Sequence, residues 1–223
     1  MAEEIIDKEL IFVRHARSWG NEEKTPDTPV FDEKDPPLSP LGKKQARLLC
    51  DRFCEGSIDA IYASPLIRTI STALPTADKL NRKIRLVPTL VETDTEIPGT
   101  DEKELAALSD KIVLPYTPYI PVRDTEEHRK SRAKESIDYI LKESAGAKRI
   151  MIVSHGTFLK YLYEYVLSIE NDGVFRWSND NCAITRIILY KNGLPKLKQQ
   201  NDRLHLQGIE PDYFIFKGDY ING

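Results

Sequence analysis

The stretch "LIFVRHARSWGN", residues 10–21, decides how the chain is read. Leu10 to Val13 are apolar at every position, the pattern of a strand covered on both faces rather than one that alternates between core and water. The run then stops on Arg14 and His15 and breaks into small polar residues. Open parallel sheets hold their ligands beyond the carboxyl ends of their strands. The stretch therefore predicts both a layered architecture and the address of a site that needs positive charge.

Similar runs recur at "IDAIYA" (58–63), "KIRLVPTLV" (83–91), "RIMIVS" (149–154) and "AITRIILY" (183–190), rich in β-branched residues and read as strands. The intervening stretches have helical period: Leu66, Ile70, Ala73, Leu74 and Ala77 in one, Phe158, Leu162, Val166 and Ile169 in another. Strands alternating with helices give an α/β fold, a three-layer α/β/α sandwich with a mostly parallel central sheet. Ser39-Pro40, Ser64-Pro65 and Thr125 read as helix starts, each with a hydroxyl cap and two with a proline in the first turn. Segments 22–37, rich in Pro, Asp and Glu, and 111–124, with Pro115, Pro118 and Pro121, read as surface loops. With 223 residues the chain suits one domain over 1–223, with loop insertions near 22–37 and 93–124.

Composition narrows the function classes. Hydrophobic residues make up 40% and charged ones 30%, and no apolar run approaches the roughly 18 residues of a membrane helix. The opening "MAEEIIDKEL" is acidic and lacks the apolar centre of a signal peptide, so the expected compartment is cytoplasmic. Three cysteines make no disulfide framework; Cys50 and Cys54, at helical spacing, read as small core hydrophobes. A net charge of −3 without a basic block argues against nucleic acid. The apolar "YFIF" (213–216) in the tail needs an edge or a partner to cover it, which leaves an oligomer open.

Three strands end on polar signals: "RHARSWGN", "ASPLIRT" (63–69) and "VSHG" (153–156). They bring Arg14, His15, Arg68 and His155 to one edge of the sheet. Four groups of that kind repel one another unless an anion joins them, and a phosphate dianion suits guanidinium forks, imidazoles and helix N-terminal amides. Ser64 reads as a helix cap; no G-x-S-x-G elbow surrounds it, which excludes serine-hydrolase chemistry. His128, among charges in "TEEHRKSR", reads as a solvated helix face. "LPYTPYIPVRD" (114–124) reads either as a cover over a core edge or as a lid.

In order, "RHA" with Ser18 and Asn21, "LSPLGKKQA" (38–46), "SPLIRTISTA" (64–73), "TLVE" (89–92), "VSHG" (153–156) and "QNDRLHL" (200–206) resemble the motifs of the histidine phosphatase superfamily, also called phosphoglycerate-mutase-like. The resemblance implies a phosphomonoester phosphatase without metal or cofactor. It makes His15 the nucleophile that becomes phosphohistidine, and Arg14, Arg68 and His155 the groups around the phosphoryl oxygens. Glu92 matches the residue that protonates the leaving oxygen and then activates water. Ser18, Asn21, Gly156, Thr157 and His205 match phosphate or substrate contacts, Thr157 through its backbone amide.

Two positions depart from the family pattern. Ala16 stands where glycine is usual, which puts a Cβ near the phosphate. "ETDTEIPG" (92–99) has Glu96 where glycine often follows the acid, so Asp94 and Glu96 stay open as alternatives to Glu92. The implied partner is a small phosphorylated substrate or a phosphoprotein. A phosphoglycerate mutase is the second reading, disfavoured because "EEKTPDTPVFDEKDPP" (22–37) is acidic where mutases carry Trp, Asn and basic residues. A catalytically silent domain that binds phosphorylated ligands is the third.

Overall fold

Side chains along a strand point alternately to opposite faces. The computed structural model describes residues 5–171 and 173–209, and within it Leu10, Ile11, Phe12 and Val13 are all at most 3% exposed, so both faces of their strand are covered. The chain runs β1 (Ile6–Arg14), α1 (Pro40–Asp51), β2 (Ala60–Ala63), α2 (Ile67–Lys79), β3 (Ile84–Leu86), α3 (Glu102–Leu108), α4 (Glu126–Glu143), β4 (Arg149–Ser154), α5 (Gly156–Leu167), β5 (Ile184–Tyr190) and β6 (Lys196–Asp202). Ile11 and Val13 pack with Ala46 and Leu49 of α1 and Ile70, Ala73 and Ala77 of α2. Leu10 and Phe12 pack on the other side with Ile137 and Ile140 of α4 and Phe158 and Leu162 of α5. Two cores separated by one sheet make the expected α/β/α sandwich. Truncating Phe12 to Ala in so closed a layer costs about 3–5 kcal/mol.

The strand order is β3-β2-β4-β1-β5-β6. β3, β2, β4 and β1 are parallel to their neighbours, while β5 runs antiparallel to β1 and β6 antiparallel to β5. The sheet is thus mostly parallel. Its register sets Arg14 beside Ser154 and Ala63 beside Val153, so the residues that follow, His15, Ser64 and His155, leave the sheet at one level.

Several expectations change in detail. The run 83–91 is not one strand: β3 stops at Leu86, and Pro88, which has no N–H for a ladder, opens a short 3-10 turn over Pro88–Leu90. β6, polar enough to escape the apolar pattern, forms the edge. Ser39 caps α1 by accepting from the Gly42 N–H at 3.1 Å, and Thr125 caps α4 by accepting from the His128 N–H at 3.2 Å. Ser64 caps nothing. α2 starts later, at Ile67, and its first N–H donates to Asp35 of the acidic loop at 3.0 Å. The 93–124 insertion contains α3, capped by Asp101, whose carboxylate accepts from the Lys103 N–H at 2.8 Å. Segment 111–124 is irregular and pinned: Tyr119 joins Leu66 and Val91 in a small apolar cluster, and the Tyr116 hydroxyl donates to the Thr100 carbonyl at 2.8 Å. The "YFIF" stretch lies outside the described residues.

Candidate active site

His15 follows β1 directly and is 5% exposed. Its backbone N–H donates to the Ser154 carbonyl at 2.9 Å, which locks the residue to the end of β4. Its Nδ1 lies 2.8 Å from the Ala16 carbonyl oxygen. A carbonyl can only accept, so Nδ1 carries the proton and Nε2 keeps its lone pair. Burial, with Arg68 and Arg14 adding to it, pushes the His15 pKa well below the usual imidazole range. The ring is a neutral base with an available nitrogen.

Ala16 has no exposure and lies in the α1/α2 core, so its Cβ points into packing and the phosphate-side backbone is unobstructed by it. Its N–H donates to the Thr72 hydroxyl of α2 at 2.8 Å. The next turn is held by α1 at very close range: a Cβ on Gly42 would come within 1.8 Å of the Arg17 carbonyl oxygen, so only glycine fits there.

Arg14 donates from Nη1 to the Asn179 carbonyl at 2.6 Å and lies flat against the start of α5, where a Cβ on Gly156 would meet its Cζ and Nε at 3.1 Å. Gly156 thus serves by leaving room for the guanidinium. Arg68, in the first turn of α2, pairs through Nη1 with Asp35 at 3.3 Å. Burial pulls the pKa of both arginines down, while Glu92 and Asp180 for Arg14, and Asp35 and Glu92 for Arg68, pull it up. Burial likewise raises the Asp35 pKa, against the bonds it accepts from Ile67, Thr100 and Arg68. The acidic 22–37 loop is therefore a structural part of the pocket at Asp35 and not surface alone.

His155 closes β4, forms the N-cap of α5 and is fully buried. Its ring centroid is 5.3 Å from that of His15, and its Nε2 lies 2.9 Å from the Ser64 hydroxyl. Burial first, then Arg68 and His15, lower its pKa well below the ordinary value, so it too is neutral.

Glu92 reaches the same place from the turn after β3. Its carboxylate accepts from the Thr93 N–H at 2.8 Å and, at the start of α5, from Phe158 N–H at 2.9 Å and Thr157 N–H at 3.2 Å. The Thr157 amide, expected to meet phosphate, is engaged by Glu92 instead. A helix N-terminus attracts a carboxylate for the same reason it attracts phosphate. Asp94 and Glu96 turn outward, paired with Arg129 at 3.0 Å and Lys34 at 3.1 Å, with side chains 72% and 75% exposed.

Ser18 and Asn21 bond mainly to each other: the Ser18 N–H and hydroxyl donate to Asn21 Oδ1 at 3.2 and 3.1 Å, and Asn181 Nδ2 donates to it at 3.2 Å. They shape the turn after His15, and Asn21 keeps its side-chain amide donors for other use. His205 does not join the cluster. It sits in the turn after β6 beside Arg52, Asp202 and Arg203, and burial, with Arg52 second, lowers its pKa to about 4.

Residues outside the sequence reading complete the site. Arg132 of α4 is 2% exposed, stacks on Phe158 with 3.9 Å to the ring centroid, and donates to the Val91 carbonyl at 2.7 Å and the Thr89 carbonyl at 3.3 Å. It also pairs with buried Asp124 at 3.2 Å. This guanidinium staples the turn that carries Glu92 to the helix whose amides hold Glu92. His128 belongs to the same network, its Nδ1 2.9 Å from Asp124, rather than to a solvated face. The loop "SNDNC" (178–182) supplies Asn179 to Arg14 and Asn181, whose Nδ2 donates to the His15 carbonyl at 3.1 Å.

A model of the histidine phosphatase superfamily (branch 1) matches residues 10–203. The chain belongs to that superfamily. Within it, the chain is 28% identical over 187 residues to a putative phosphoserine phosphatase 2 of Hydrogenobacter thermophilus, covering 81% of this chain and 89% of that one. It is also 28% identical over 187 residues to a probable phosphoglycerate mutase GpmB of an Enterobacter strain, covering 80% and 84%. Among solved structures it resembles a phosphoserine phosphatase from Entamoeba histolytica, crystallised with 3-phosphoglyceric acid. There the TM-score is 0.59 at 24% identity, over 89% of this chain and 99% of that chain. The last likeness speaks for the fold alone. Among the described residues no helix is long and apolar enough to cross a membrane.

Proposed function

We propose that the protein hydrolyses small phosphomonoesters through a covalent phosphohistidine on His15. One observation carries the reading: the Nδ1–H to Ala16 carbonyl bond, 2.8 Å, leaves the Nε2 lone pair of a neutral imidazole beside the part-buried Arg14 and buried Arg68 guanidiniums. In the first half-reaction Nε2 attacks phosphorus, an N–P bond forms, and the P–O bond to the leaving group breaks. The leaving oxygen takes a proton from Glu92, whose carboxylate has received it from the monoanionic ester on binding. In the second half a water attacks the phosphohistidine, the N–P bond breaks, the water's proton passes to Glu92, and phosphate leaves with that proton as the monoanion, which returns His15 and Glu92 to their starting states. Arg14, Arg68 and His155 supply fixed donors to the equatorial oxygens as charge spreads over them, which needs no reorganisation at the moment of reaction.

Residues 1–223 act as a single domain in this reading, supported by one sheet that takes in all six described strands and a family match that spans most of the chain. Phosphoserine and the phosphoglycerates are the first substrates to try, since relatives carry those names. A mutase remains the second reading on the same grounds.

The test is a phosphomonoester screen with radiolabelled substrate. Acid-labile label on the wild-type protein and none on His15→Ala, together with loss of phosphate release, is the expected result. Near wild-type turnover by His15→Ala sinks the mechanism. Interconversion of phosphoglycerates that depends on 2,3-bisphosphoglycerate moves the assignment to a mutase, and neither label nor release from any substrate moves it to a binding domain.

A further inference from the structure

Ser64 leaves the end of β2 with no exposure and takes no part in capping α2. Its hydroxyl oxygen lies 2.9 Å from Nε2 of His155, which is equally buried. A buried hydroxyl hydrogen has to find an acceptor. Among the described residues Nε2 is the one partner the Ser64 hydroxyl has. If the hydroxyl donates there, Nε2 holds the lone pair and the imidazole proton sits on Nδ1. Nδ1 is itself buried and has no hydrogen-bond partner among the described residues. A buried N–H needs an acceptor, and with none among the described residues a ligand is the group that can supply it.

We infer that Ser64 is a positioning residue that fixes His155 as the Nδ1–H tautomer, so that a buried, unpaired N–H donor awaits a phosphoryl oxygen. The inference rests on the reading of this pocket as a phosphoryl site and adds the group that decides which way His155 bonds. Both imidazoles carry their proton on Nδ1, with opposite use. His15 spends its N–H on the Ala16 carbonyl and offers its lone pair to phosphorus; His155 spends its lone pair on Ser64 and offers its N–H to oxygen. The reverse tautomer of His155 would turn a lone pair toward the bound oxyanion. Because burial and the neighbouring arginines keep the ring neutral, no positive charge makes up for the wrong tautomer.

The experiment reads the tautomer directly in the empty enzyme. Long-range proton–nitrogen NMR spectra of 15N-labelled protein at pH 7.5, with His155 assigned by its loss in His155→Asn, are expected to show a protonated Nδ1 and an unprotonated Nε2. Ser64→Ala is expected to move the proton wholly or partly to Nε2 and to weaken binding of inorganic phosphate about tenfold, the worth of one hydrogen bond. Ser64→Thr, which keeps the hydroxyl, is expected to restore both readouts.

A wild-type ring protonated on Nε2 overturns the inference. So does a Ser64→Ala protein that keeps the Nδ1–H tautomer, even with weaker phosphate binding, because packing then explains the loss. If Ser64→Thr fails to fold, the wild-type and Ser64→Ala spectra decide the matter alone. Neither readout uses turnover, so a failed His15→Ala test strikes the phosphohistidine reading and leaves this one to its own spectra.

Discussion

His15 and His155 are buried and held neutral, which makes the stability of this protein fall as acid is added. Each has a folded pKa well below its ordinary 6.5, so the unfolded chain binds protons that the folded protein refuses. Their contribution is complete above pH 6.5 and is lost as pH falls below it, at about 1.4 kcal/mol per pH unit for each proton taken up on unfolding. Between pH 6 and pH 5 an exposed histidine is on average about nine-tenths protonated, so the pair loses up to about 2–3 kcal/mol, the limit for rings that take up no proton in the folded protein. Against a total of about 5–15 kcal/mol that is a large share.

His205, lowered to about 4, adds in the same direction. Asp35, whose pKa is raised by burial, works the opposite way, since its folded carboxyl group takes up a proton before its unfolded one does. Comparing wild type with His15→Asn cancels both. The variant has one fewer buried imidazole, and its stability should fall by up to about 1 kcal/mol less than that of the wild type over this pH step. Urea unfolding at pH 7.5, 6.0 and 5.0, followed by circular dichroism, measures this as a difference of up to about 0.5 M in the shift of the midpoint. Parallel pH profiles for the two proteins would refute the claim that the fold keeps His15 unprotonated, and with it the basis for a ready nucleophile.

Arg68→Ala should fold cooperatively and lose about a hundredfold to a thousandfold in kcat/KM, the usual consequence of removing one preorganised donor from a dry site. Arg132→Met removes the clamp on the Glu92 turn and strips Asp124 of a buried partner, and should cost about 3 kcal/mol in a denaturant titration. Glu92→Gln should form phosphoenzyme from p-nitrophenyl phosphate at nearly normal burst rate but react about a hundredfold more slowly with alkyl esters, whose leaving oxygen needs the proton. Equal burst losses for both leaving groups would assign Glu92 to structure.

The layers and the sheet were legible because β1 is apolar at four consecutive positions and its neighbours repeat the pattern, which two-sided burial enforces. β6 was not, because an edge strand meets water and keeps polar residues such as Lys196, Lys198 and Gln199. In the site, Arg14, His15, Arg68, Glu92 and His155 were legible from strand ends and motif order. Their supports were harder. Arg132 did leave a trace: it shares a helix stripe with Ser136 and Ile140, buried with it, and an arginine on an apolar stripe signals a buried clamp. Asp35 left none, since its role depends on where a loop of 16 acidic and proline-rich residues folds back on α2. Ser64 was misread for a physical reason. Ser-Pro at a strand end satisfies the rules for a helix start, and the competing partner, His155, lies 91 residues away in the chain.

The pocket also differs in charge from what its composition suggests. Arg14, His15, Arg68 and His155 read together as four cationic groups in need of an anion. Burial makes both imidazoles neutral, so two charges remain, and each guanidinium already faces carboxylates: Asp35 and Glu92 for Arg68, Glu92 and Asp180 for Arg14. The site's own carboxylates therefore offset its two guanidiniums. What it offers a phosphoryl group is direction rather than excess charge. Arg68 has one arm fixed by Asp35, Arg14 has one fixed by Asn179, and His155 has its ring fixed by Ser64. Donors held in this way gain more from the spread charge of a transition state, which meets all of them at once, than from a ground state that meets some. The α5 amides, the groups best suited to hold phosphate tightly, are occupied by Glu92 instead. A site that must release phosphate after each turnover is better served by that arrangement than by one that binds the product as firmly as the fold would allow.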